Sequence, residues 1–80
     1  LNVALVFGKV LRKMRLDAGL TQEQLALEAD LRRTYISILE LGQQQPSLTT
    51  LLKLAAALNC SAQQIVAHVE SHLEKGPSSL

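Results

Sequence analysis

The stretch at residues 31–46, LRRTYISILELGQQQP, gathers side chains suited to polar recognition. Arg32 and Arg33 each carry a planar fork of N–H donors, a shape that matches phosphate oxygens and the paired acceptors of a guanine edge. Thr34 and Ser37 add hydroxyls, and Tyr35 adds a phenol. On a helix, steps of three and four residues bring Arg33, Thr34, Ser37 and Ile38 onto one face. Such a face suits contact with an anionic polymer. The second turn is less polar, with Ile38 and Leu41. Gln43, Gln44 and Gln45 then stand where further cations would strengthen the grip.

The remaining reactive residues form weaker patterns. His68 and His72 are four apart, a spacing compatible with a metal site. Glu70 and Glu74 fall on other faces and no third ligand is evident, so no metal is expected. One cysteine, Cys60, cannot close an intrachain disulfide, and it reads as a buried small side chain. Ser37, the histidines and the carboxylates form no ordered nucleophile–base arrangement. The sequence therefore reads as a non-enzyme, with no cofactor and no small-molecule ligand evident.

These residues need elements to hold them. Eighty residues allow one domain, here taken as residues 1–80 with a core over about 7–75 and a frayed tail at 76–80. One Phe, one Tyr and no Trp leave an aliphatic core rich in Leu and Ala, both strong helix formers, so the fold class is all-α. The longest apolar runs, residues 3–7 and 54–58, fall far short of the roughly 20 residues of a membrane span. The start has no signal-peptide layout. A soluble cytoplasmic protein without membrane contact is expected. Net charge is only +1, yet six of the eight basic residues lie between 9 and 33, which localises a basic face.

Periodicity and punctuation predict five helices. The first covers about 3–18, with Asn2 as N-cap, Gly19 as stop and Phe7, Leu11 and Met14 inward. The second covers 22–29, opened by a Thr21–Gln24 capping box, with Leu25, Ala26 and Ala29 inward. The third covers 32–41, with Ile36 and Leu39 inward and Gly42 as stop. The fourth follows Pro46 and Ser47, with an apolar stripe of Leu48, Leu51, Leu52, Ala55 and Leu58, and ends at Asn59. The fifth starts from a Ser61–Gln64 capping box and runs to about residue 75, carrying Ile65, Val66, Val69 and Leu73.

Helices two and three, over residues 22–41, are joined by so short a turn that they must cross steeply, as in a helix-turn-helix unit. Ala26 permits the close approach, and Asp30 is one of the few non-glycine types that tolerates positive φ. Leu25, Leu31, Ile36 and Leu39 supply the apolar anchors. With its flanks, LRKMRLDAGLTQEQLALEADLRRTYISILELG followed by PSLTTLLKLAAALNCS, the chain resembles the lambda-repressor-like (Cro-type, XRE) helix-turn-helix regulators. The resemblance covers about residues 7–66.

That resemblance implies a compact five-helix domain that binds double-stranded DNA, with the helix after Arg32 in the major groove and the preceding helix across the backbone. Arg32, Arg33, Thr34, Ser37 and Ile38 would read base edges. Thr21, Gln22, Tyr35, Gln43, Gln44 and Gln45 would contact phosphate. Arg15 and Glu40 match a pair that braces the first helix to the end of the third. Ile65, Val66, Val69 and Leu73 would form the seam of a homodimer on a palindromic operator. At this length the chain resembles a stand-alone repressor or a restriction–modification controller, bacterial or phage-encoded and nucleoid-associated. An antitoxin, or a protein-interaction module that keeps the fold without DNA binding, is the alternative. The chain departs from the family at Asp30, in place of the usual Gly, and at Arg32, in place of the usual Ser or Thr cap. Val10, Leu16, Ile38 and Leu41 are apolar where relatives often carry polar groups.

Overall fold

The computed structural model describes residues 2–74 as five helices, α1 Val3–Asp17, α2 Gln22–Ala29, α3 Arg33–Glu40, α4 Leu48–Ala57 and α5 Ala62–Glu74. There is no strand among these residues. The expected tail at 76–80 lies outside the described residues.

Four of the five helix starts are capped by a side chain. Asn2 Oδ1 accepts from the Leu5 amide at 3.0 Å. Thr21 and Gln24 form the reciprocal capping box, with bonds of 3.0 and 2.9 Å. Ser47 Oγ accepts from the Thr50 amide, and Ser61 and Gln64 repeat the reciprocal pattern. Each cap satisfies a donor that the first turn leaves unpaired.

Four inter-helix turns close in one way. Gly19, Asp30, Gly42 and Asn59 all take positive φ, between 56° and 76°. The next residue's amide then reaches back five positions, as Leu31 does to the Ala26 carbonyl at 2.9 Å and Gln43 to Ile38 at 3.1 Å. Asp30 thus holds the left-handed position at the tight α2–α3 turn. Ends differ from expectation by one residue: Ala18 and Leu41 are C-caps, and Arg32 is an N-cap. Arg32 has extended backbone and no side-chain cap bond, because its guanidinium cannot accept from an amide.

The core centres on Leu11, Leu25, Ile36, Leu39, Leu54 and Ile65, all inaccessible to solvent. Around them pack Phe7, Val10, Ala26, Ala29, Ala55 and Val69. Val10 owes its apolar side chain to this burial. The α4 stripe needs correction. Leu48 and Leu52 are exposed, whereas Leu54, which the stripe omitted, is fully buried. The inward arc runs through Leu51, Leu54, Ala55 and Leu58; Leu52 lies on its flank, and Leu48, at the first position of the helix, stays open to solvent.

Gly8 fixes the α1–α3 crossing. A Cβ there would meet the Leu39 carbonyl oxygen and lie 2.7 Å from that of Glu40. Both obstacles are backbone and cannot rotate away. Gly8→Ala should therefore destabilise the fold by about 1–3 kcal/mol through overpacking. Urea denaturation would check this, and unchanged stability would show that the crossing has slack.

Candidate nucleic-acid interface

The short α2–α3 turn sets the N-terminus of α2 beside the first turn of α3. Arg15, Thr21, Gln22, Glu23 and Arg33 line one open cleft there. Arg32, Arg33 and Thr34 are exposed, while Ser37 and Ile38 on the next turn are half-buried. Ile36 and Leu39 turn inward, so α3 is anchored on one face and open on the other. Of the five residues expected to read bases, four are on α3 and Arg32 caps it, and they are not equally accessible. Tyr35 is half-buried and packs against the core, with Gln43, Gln44 and Gln45 exposed beyond the α3 end. Leu41 also stays exposed.

The N-terminus of α2 is partly spent. Thr21 Oγ1 accepts from Gln24, and the Thr21 carbonyl accepts from Leu25. The amides of Gln22 and Glu23 lie ahead of these bonds, in the first turn where helix donors lack intrahelical partners. They and the positive end of the helix dipole favour an anion in the cleft. Arg33 on the same cleft adds a full charge.

Beneath it lies a buried polar network. Arg15 Nε donates to Glu40 Oε2 at 2.6 Å, and Nη2 donates to Oε1 at 3.0 Å. Nη1 donates to the Leu20 carbonyl at 2.9 Å. Both side chains are more than nine-tenths buried. The hydrogen bond to Glu40 raises the Arg15 pKa above its ordinary value; burial opposes this and the carboxylate's charge adds to it. The expected brace is therefore a two-pronged ion pair from α1 to the last residue of α3.

Gln22 joins this network, which the sequence did not reveal. Its Nε2 donates to Glu40 Oε1 at 3.1 Å. One end of its amide thus steadies the brace, leaving the carbonyl and a second N–H. Nothing local signals this contact, because the two residues are eighteen positions apart and meet only through the α2–α3 crossing.

The dimer residues divide. Ile65 and Val69 are buried in the chain's own core, correcting their expected place on an interface. Helical spacing turns them toward α1 and the core, so they have no surface left to offer. Val66 is 42% exposed and Leu73 is half-buried. Cys60 is half-buried rather than buried, and burial pushes its thiol pKa up, away from the reactive thiolate. No group of three metal-ligating side chains occurs among the described residues. No described helix is long and apolar enough to cross a membrane.

Comparison with known proteins places these features in a family. A helix-turn-helix family model matches residues 11–65, spanning the brace, the α2–α3 turn and the exposed face of α3. The chain is 39% identical over 66 residues to the control protein C.BamHI of Bacillus amyloliquefaciens, covering 81% of this chain and 82% of that protein. Its fold is similar to the crystal structure of the restriction–modification controller C.AhdI of Aeromonas hydrophila, with a TM-score of 0.75 and 40% identity over 78% of this chain and 94% of that one. It is also similar to the clp gene regulator ClgR of C. glutamicum, with a TM-score of 0.84 and 26% identity over 92% and 96%. The match over most of its length, together with the tight α2–α3 turn, shows that the chain belongs to the helix-turn-helix family of XRE-type transcriptional regulators.

Proposed function

We propose that the chain binds duplex DNA in a sequence-specific manner as a homodimer and controls transcription from a palindromic operator. The observation that carries this reading is the cleft in which Arg33 faces the N-terminus of α2. It offers a cation and first-turn amides to a phosphate while the outer face of α3 remains open for base edges. Arg32, Arg33 and Thr34 would make the first contacts, with Ser37 and Ile38 closer to the helix floor. Ile38 would pack on a thymine methyl. Thr21, Gln22, Tyr35, Gln43, Gln44 and Gln45 would hold the backbone, largely by neutral hydrogen bonds.

A two-fold dimer through Val66 and Leu73 would set two such helices about 34 Å apart, one DNA turn. Several relatives are control proteins, among them C.BamHI, C.MunI and C.SmaI. Their similarity favours a controller of restriction–modification genes, acting in the cytoplasm on the nucleoid and performing no catalysis. Selection from random duplexes at low salt tests the proposal. The expected result is one motif with two-fold symmetry and half-sites one turn apart. No enrichment at all would favour the fold serving protein contact instead.

A further inference from the structure

The face of α1 away from α3 carries a second site. Gly8 abuts α3, and Val10, two residues on, points roughly to the opposite flank of the same helix. There α1 and α5 leave a groove whose floor is Val10 and Met14. One wall is α1 with Lys9 and Lys13, and the other is α5 with His68 and His72. Asp17 closes one end and pairs with Lys13 at 3.0 Å, an exposed contact that leaves the ammonium two more donors. His72 Nδ1 donates to the His68 carbonyl at 2.9 Å, which leaves Nε2 as the acceptor of the neutral ring, while the His68 ring has no such bond.

The walls and floor define what fits. A metal would use the His68–His72 spacing, but no third ligand joins them among the described residues and two lysines on the opposite wall repel a cation. An anion has the two ammonium groups on one side and the His68 ring on the other, with the Asp17 carboxylate already paired to Lys13. The groove holds about 120 Å³, close to the roughly 150 Å³ that takes a benzene-sized molecule. The apolar floor favours a short hydrocarbon stem between the charges. We infer that the α1–α5 groove binds a short aliphatic dicarboxylate, one carboxylate on the lysine wall and the other on the histidine wall. A ligand was not evident from the sequence, because the four polar residues lie on helices more than fifty positions apart. Since α5 also carries Val66, the ligand would tie the DNA-reading body to the dimer helix; that consequence alone rests on the proposed function.

The test reads binding directly, without DNA. Glutarate would be titrated into the full chain and followed by 1H–15N chemical shifts, with sodium chloride at matched ionic strength as reference. Saturable shifts centred on Lys9, Lys13, His68 and His72 are expected. Lys9→Gln with Lys13→Gln should weaken binding by about tenfold or more, the scale of losing a charge-assisted hydrogen bond. Arg12→Gln, an exposed cation on α1 outside the groove, should leave it unchanged. Shifts that merely follow ionic strength, equal losses in both variants, or equally tight pyrophosphate binding would overturn the assignment.

Discussion

Glu40→Ala should destabilise the fold by about 3–5 kcal/mol, the cost of leaving a buried charge without its partner. Arg15 would keep the Leu20 carbonyl but lose both bonds to the carboxylate, and Gln22 would lose its acceptor. Urea denaturation near neutral pH measures the loss. Replacing Arg15 and Glu40 together with apolar residues should recover much of it, since well-packed apolar pairs often match buried ion pairs in stability. Strictly additive losses in the double-mutant cycle would contradict direct coupling. On the arginine side the sign is fixed. Its folded pKa is raised, so the contribution is fully present below the ordinary guanidinium value and fades only above it. The effect should reach the proposed DNA contact too, because the brace grips the last residue of α3 and so sets the tilt of its outer face.

Val66→Glu should leave the fold intact and abolish dimerisation. Val66 is 42% exposed in the single chain, so a carboxylate there is solvated until two copies meet. In a two-fold seam each change is made twice, so two carboxylates without partners would be buried in an apolar contact. Sedimentation should show the parent as a dimer and the variant as a monomer. Affinity for a palindrome should fall by at least about a hundredfold, because one half-site's contacts are lost. A Val66→Glu chain that remains dimeric would move the seam elsewhere. The exposed Leu48 and Leu52 on α4 would then become the next surface to test.

Local chemistry was legible in the sequence wherever one residue type suffices. Thr21 with Gln24, Ser61 with Gln64, and the positive-φ positions Gly19, Asp30, Gly42 and Asn59 each act within six residues, and they mark the helix ends to within about one residue. The α2–α3 crossing was readable for the same reason, since Ala26, Asp30 and the anchors sit close together in the chain. Features set by packing between distant elements were not. Leu48 and Leu52 share helical spacing with the buried residues, and only the orientation of α4 against α2 and α5 decides which arc faces in. Ile65 and Val69 looked available for a partner because sequence does not show how much of α5 the first helix covers. Gln22 was read from its place at a helix start, whereas its contact with Glu40 depends on a crossing angle.

The central claim, that α3 reads bases through its exposed first turn, is tested most directly by repeating the random-duplex selection with Arg33→Ala. Arg33 is solvent-exposed and begins the helix, so its loss should spare the fold. The parent should enrich a motif with a guanine preference at one symmetric position in each half-site, since the guanidinium fork suits O6 and N7. The variant should lose discrimination at that position, by about 1–3 kcal/mol, while preferences elsewhere persist. An unchanged motif with undiminished preference at every position would contradict the assignment of Arg33 to base reading.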